Sequence, residues 1–220
     1  MNKEIQKYLD LIKSQVGYSE QSGGYTKFGD WYGKTVEFDS DYSAQPWCDM
    51  FLSWAAYQLG YQKWVGQFAY TPSHAKWFQQ HDAWGGDPQV GALVFYDWSG
   101  TGLTDGIDHV GIVTEVDGKV IHTVEGNIDG GYARTKVRDQ TFVVGYGYPE
   151  QVKARLEATA KATAAQSGTT ATHTGSQTTP MAAGAGQPPA AGTPLMAMPL
   201  LLATVVVAAR LRFRRDGLRG

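Results

Sequence analysis

Hydrophobic positions change their period along this chain, and the changes mark out its elements. In residues 2–16 (NKEIQKYLDLIKSQV), Ile5, Leu9, Ile12 and Val16 recur at helical spacing with Lys and Glu opposite, which predicts an amphipathic surface helix. Residues 17–45 hold no sustained period and are rich in Gly, Tyr, Ser and Asp, the composition of a long surface loop lining a cleft. The aromatics Tyr25, Trp31 and Tyr32 on it are candidates to face a ligand. Pro46 then opens a second helix, where its missing N–H costs nothing, and Gly60 stops it. Cys48, Phe51, Leu52, Ala55 and Leu59 share one stripe of that helix, so the cysteine is directed toward the protein body. A short third helix is expected after Pro72. From Val90 onward the runs ALVFYDW, HVGIVTEV, KVIHTVEG, ARTKVR and FVVGYGY read as strands separated by Gly and Asp. Helices first and an antiparallel sheet afterwards predict an α+β domain over residues 1–149.

Beyond residue 149 the composition shifts. Residues 150–193 form an Ala/Thr/Gly/Pro-rich linker that cannot bury a core, with 150–165 as its helix-competent part. The apolar run within 194–213 is read as a transmembrane helix, slightly short of the ~20 residues needed unless the flanking arginines snorkel. Residues 214–220 are an Arg-rich tail. Positive residues stay cytoplasmic, so the folded domain is expected on the extracellular face of the membrane, anchored by a single C-terminal pass. The N-terminus offers no apolar export signal, which leaves either a signal missing from this chain, another export route, or the opposite topology. Charge is divided as well: residues 1–149 hold 11 Lys/Arg against 18 Asp/Glu, a net −7, which argues against nucleic-acid binding by the folded part. A monomer is expected.

The chain has one cysteine, so an internal disulfide and a multi-cysteine metal cage are excluded. A cysteine on the inner stripe of a helix is more often an inert small hydrophobe. Cys48 departs from that pattern because it lies in the first turn, beside Asp49, where unpaired N–H groups and the helix dipole favour a thiolate. It needs a base. His173 is in the linker, His74 and His81 fall on or near the short third helix in a solvated or capping role, and His109 and His122 are on predicted strands. Register decides between the last two. A three-residue loop, Val116-Asp117-Gly118, pairs Glu115 with Lys119 and sets His109 directly opposite Glu125, with His122 on the core face beside Val110, Ile112, Val120 and Val124. A two-residue Asp-Gly turn puts His109 and Glu125 on opposite faces, so the catalytic pairing requires the longer loop or a bulge. Asn127 is either a further orienting group or a turn former in GNIDGG. The backbone N–H of Cys48 is one candidate oxyanion donor, with Tyr42 and Gln45 near enough in sequence to supply another.

The segments QPWCDMFLSWAAYQLGY, VGALVFYDW, DHVGIVTEVDGKVIHTVEGN and VVGYGYP, preceded by GGYTKFGDWYG, together resemble the CHAP domain, the cysteine, histidine-dependent amidohydrolase/peptidase group related to NlpC/P60 enzymes. The resemblance covers about residues 3–149. It implies a papain-like (NlpC/P60-like) fold, and hydrolysis of peptidoglycan amide bonds as an N-acetylmuramoyl-L-alanine amidase or a stem or cross-bridge endopeptidase. It implies catalytic roles for Cys48, His109, Glu125 and Asn127. Trp31, Tyr42, Gln45, Trp47 and Trp98 flank these positions as candidates for substrate contact. Some family members bind calcium in an acidic loop before the nucleophile, which makes Asp39 and Asp41 weak calcium candidates. Further ligands are not evident at Ser43 and Gln45, so no cofactor is expected. The competing functions are a wall-binding module without catalysis and a surface cysteine protease acting on proteins.

Overall fold

A computed structural model describes residues 2–169 of the chain, with side chains as far as residue 166. They fall within one compact unit, Met1–Thr174, and the second unit, Gly175–Gly220, lies outside them. The remainder of the linker, His173, the apolar run at 194–213 and the Arg-rich tail are therefore outside the described residues. Among the described residues no helix is long and apolar enough to cross a membrane.

Helix α1 spans Lys3–Lys13, capped by Asn2, whose side chain accepts the Glu4 N–H at 2.9 Å. It buries Ile5, Tyr8, Leu9 and Ile12, and each such side chain contributes on the order of 1.5–3 kcal/mol. Val16 lies beyond the helix end and stays exposed. The segment expected as a loop instead holds short helical turns: α2 at Lys27–Tyr32, a π-turn at Gly33–Glu37 and 3-10 turns at Ser22–Gly24 and Ser40–Ala44. Phe28 and Tyr32 of α2 enter the core. Thr26 caps α2 by accepting the Gly29 N–H, and Gly29 and Gly33 have no room for a Cβ against the backbone of Tyr42 and Asp39. Glycines that read as loop residues are here the close-packing points of a folded layer.

Helix α3 runs Cys48–Gln58, followed by α4 at Gln62–Val65 and α5 at Thr71–Gln80. Pro46 stands two residues before α3, not in its first turn. Gly60, at φ 74°, ends the following turn as the pattern predicts. A single six-stranded antiparallel sheet contains β1 (Trp84–Gly85), β2 (Leu93–Tyr96), β3 (His109–Asp117), β4 (Val120–Ile128), β5 (Tyr132–Arg138) and β6 (Val143–Gly147) in the order β1-β6-β2-β3-β4-β5. One face, with Leu93, Phe95, Val110, Ile112 and Val124, joins the helices in the main core, while Val94, Tyr96, Val113, Ile121 and Tyr146 form a smaller cluster on the other. The strand β4 comes close to α3 at Gly126, where a Cβ would stand 2.6 Å from Trp47 and 2.9 Å from Phe51. Helix α6, Pro149–Thr169, buries Val152 and ties Lys153 to Glu4 of α1 at 2.7 Å.

Candidate active site

Cys48 is the first residue of α3, and the residue before it, Trp47, supplies no side-chain cap. Nor does Asp49 serve as one, since its carboxylate is turned toward His74. The amide groups of the first turn are thus not occupied by a capping side chain, which suits a developing anion. Trp47 itself is fully buried, stacked on Phe28 at 5.2 Å and edge-on to Tyr18 at 5.7 Å. Its expected contact with substrate is corrected: the indole anchors the helix start in the core. Cys48 is 5 % exposed, directed inward as its stripe predicts.

His109 opens β3, and its neighbourhood depends on one irregularity. The β3–β4 turn is the two-residue Gly118-Lys119, with Asp117 paired to Val120 and Glu115 to His122. Continued without interruption, that register would put His109 and Glu125 on opposite faces. A bulge at Thr114 intervenes, so that Val113 pairs with Thr123 and Gly111 with Glu125. His109, two residues from Gly111, therefore shares a face with Glu125 as its diagonal neighbour. The expected three-residue loop and direct opposition are both replaced, while the shared face is reached through the bulge. Gly111 is the residue that lets the carboxylate cross: a Cβ there would lie 2.6 Å from Glu125 Cγ. His122 lies on the other face but is only half-buried, toward the exposed end of the hairpin.

The Glu125 carboxylate has no solvent exposure and four donors around it. His109 Nε2 lies 3.0 Å from Oε2, Thr123 Oγ1 donates to Oε1 at 2.6 Å, and Arg138 donates through Nε to Oε1 at 2.9 Å and through Nη2 to Oε2 at 2.6 Å. Burial opposes its charge, but the hydrogen bonds from Arg138, His109 and Thr123 outweigh that, and the carboxyl is pulled down to about 2. With Nε2 engaged by Glu125, Nδ1 is the nitrogen left for Cys48. Burial disfavours the charged ring, yet the hydrogen bonds to Cys48 and to Glu125 prevail and raise His109 to about 9. The arrangement can hold a proton between sulfur and imidazole, with the ring fixed by a permanent anion.

Arg138 and Thr123 were not singled out by the sequence. Arg138 is the last residue of ARTKVR, and the β4–β5 register, with Arg138 opposite Ile121 and Arg134 opposite Glu125, puts it on the face of Glu125 four residues along, a gap its long side chain spans. Its guanidinium also lies 5.0 Å from the Trp98 ring centroid and 5.8 Å from that of Tyr96. Tyr96, paired with His109 across β2 and β3, stacks on Trp98 at 4.8 Å, and both rings lie 5.8 Å from the imidazole. Trp98 remains 39 % exposed, so of the substrate-contact candidates it is the one set against the histidine with a free face. Asp97 fastens the loop that carries it, accepting from Ser99 N, Thr101 Oγ1 and Gly102 N.

Among the described residues no hydrogen bond or ring contact joins the remaining candidates to this cluster. Trp31 is half-buried against Tyr57, Tyr42 packs on Tyr32 at 5.1 Å, and Gln45 is exposed. Asn127 adopts a left-handed conformation, φ 60°, at the β4–β5 irregularity, and no hydrogen bond to its side chain is found. Asp39 Oδ1 accepts the Asp41 N–H at 2.9 Å, capping the Ser40–Ala44 turn. Among the described residues no group of three or more His, Cys, Asp or Glu gathers that could hold a metal ion. His81 bonds the Trp77 carbonyl at the end of α5, a capping role, whereas His74 is fully buried, contrary to the solvated or capping role expected.

The family model for the CHAP domain matches residues 40–127, a span that includes Cys48, His109, Glu125 and Asn127. Two solved structures are similar in part: the crystal structure of Ly7917, at 20 % identity and a TM-score of 0.41, and that of Ly7917 with the hydrolyzing product of MDP, at 20 % and 0.40. Each match covers 66 % of this chain and 62 % of the other, so this chain spans less than two thirds of the length of Ly7917. No curated protein matches it.

Proposed function

We propose that this protein is a peptidoglycan hydrolase that cleaves amide bonds with Cys48 as nucleophile and His109 as general base, a reading supported by the match of residues 40–127 to the CHAP domain model. The observation that carries the reading is the line of contacts from Cys48 through His109 to a buried Glu125 locked by Arg138. In this reading Nδ1 takes the thiol proton and the sulfur attacks the amide carbonyl carbon. The carbonyl oxygen, now an oxyanion, is met by the amide N–H groups at the uncapped start of α3. His109 then passes its proton to the departing amine nitrogen as the C–N bond breaks and a thioester forms. Water, deprotonated by the same ring, releases the acyl group and restores the thiol. Glu125 keeps its charge throughout and holds the ring orientation. Asn127, two residues beyond Glu125, has an assisting, orienting role.

Trp98 offers an apolar face to the stem peptide or sugar beside the reacting carbonyl. The domain works outside the cell, held near the membrane by the segment after the linker, as a monomer and without a cofactor; the sequence of the tail is the support for this placement. Amidase and endopeptidase cleavage follow from the same chemistry and differ only in which amide reaches Cys48.

Incubating the full chain and its Cys48→Ser variant with purified peptidoglycan, followed by mass spectrometry of released fragments, tests the reading. The wild type is expected to generate new amino termini at one type of bond and the variant none. Release of a lactyl-sugar from L-Ala names an amidase, and a new amine within the peptide names an endopeptidase. Binding without cleavage by the wild type would leave a wall-binding module, and cleavage of unfolded proteins in preference to peptidoglycan a protease.

A further inference from the structure

Behind the nucleophile lies a second acid–histidine pair that the chemistry above does not use. Asp49, the residue after Cys48, and His74 of α5 are both fully buried, and Asp49 Oδ1 stands 2.7 Å from His74 Nδ1. The other ring nitrogen, Nε2, stands 2.7 Å from the carbonyl oxygen of Val65. Both contacts are satisfied by a carboxylate facing an imidazolium, or by a carboxyl that donates to Nδ1 of a neutral ring that donates to the Val65 carbonyl; in either arrangement the pair holds one shared proton and no net charge, and the second carboxyl oxygen, Oδ2, is buried without a partner. The ring is also enclosed between two aromatic faces, Phe68 at 4.5 Å and 22° and Phe78 at 5.0 Å and 17°, with Phe95 edge-on at 5.6 Å. Those faces are the quadrupole surroundings that favour a cation. Besides His74, the titratable groups that feel Asp49 are the hydroxyls of Tyr8 and Tyr32, whose ionisation its charge opposes.

We infer that Asp49 and His74 are a positioning pair for Cys48: His74 holds the Asp49 carboxyl in a unit of zero net charge, so that no uncompensated carboxylate stands next to the sulfur. An uncompensated carboxylate one residue from the nucleophile would oppose thiolate formation through a low-dielectric interior. The pair anchors that turn to α5 and to the Val65 carbonyl, yet it is neutral as a unit toward the thiolate. This rests on Cys48 being the nucleophile.

Cys48 is the only cysteine of the chain, so the rate of alkylation by iodoacetamide reads its reactivity without peptidoglycan. His74→Gln in the full chain leaves the carboxylate unbalanced and is expected to slow alkylation near neutral pH by about tenfold or more and to move the pH–rate profile upward. The double variant Asp49→Asn/His74→Gln removes both charges and is expected to return the rate to within about threefold of wild type. A purely structural role predicts the opposite order, because the double variant loses more contacts. A double variant as slow as His74→Gln, with near-ultraviolet circular dichroism matching wild type, overturns the inference. If the variants do not fold, nitrogen NMR of the wild-type ring decides: ring shifts that stay constant between about pH 5 and 9 support a pair of fixed net charge, and ring shifts that titrate in that window overturn it. Normal alkylation behaviour with no wall hydrolysis would count against the proposed function and leave the pair standing.

Discussion

Replacing Arg138 with Met removes both charge-assisted hydrogen bonds to Glu125, at 2.9 and 2.6 Å, while keeping an apolar stem against Trp98 and Tyr96. A carboxyl held at about 2 against an ordinary 4.5 corresponds to about 3 kcal/mol in favour of its charged form, with the Arg138 hydrogen bonds the largest of the favourable contacts. Leaving a buried charge without its partner typically costs about 3–5 kcal/mol, which agrees in size and is a large part of the stability of an ordinary domain. The sign with pH follows from the direction of the shift. Because the folded value is depressed, the stabilisation is present above 4.5 and is lost as pH falls through about 2. Urea unfolding is therefore expected to give an Arg138→Met penalty of about 3 kcal/mol near neutral pH that shrinks by about 1.4 kcal/mol for each pH unit below 4.5. A penalty of the same size near neutral pH and a unit or more below 4.5 would refute the charge clamp and reduce Arg138 to a packing residue.

Gly111→Ala puts a methyl 2.6 Å from Glu125 Cγ, so peptidoglycan release is expected to fall by about tenfold or more while the protein stays folded, measured by turbidity clearance beside a thermal melt. The raised pKa of His109 makes its contribution to stability complete below about 6.5 and lost as pH rises through about 9, and an NMR titration should find the ring midpoint near 9, lowered by Glu125→Gln. Clearance measured with and without a calcium chelator should be the same, and loss of activity restored by added calcium would return Asp39 and Asp41 to consideration.

Much of the site was legible because its residue types sit where the chain's own signals are strong. A cysteine at a helix start, a histidine beginning a strand and a glutamate on the next strand are all readable from Pro46, Gly60, Gly118 and the alternating apolar pattern. Residues 17–45 were harder, since α2 has six residues and its burial depends on Gly29 and Gly33 meeting a distant backbone. Trp47 read as a ligand contact because an aromatic beside a nucleophile looks the same in sequence whether it faces solvent or the core.

The sequence by itself determined the α+β order of elements and the stripe that turns Cys48 inward, because local periodicity encodes them, while it brought His109 to Glu125 only through a three-residue turn that the structure does not form. Tertiary structure decided whether those residues share a face. That depended on an extra residue, Thr114, in one strand, since a side-chain period of two turns a one-residue offset into a change of face. It also decided the partners that carry the electrostatics, Arg138 over Glu125 and His74 against Asp49, which are 13 and 25 residues apart in the chain and meet only through sheet register and helix packing.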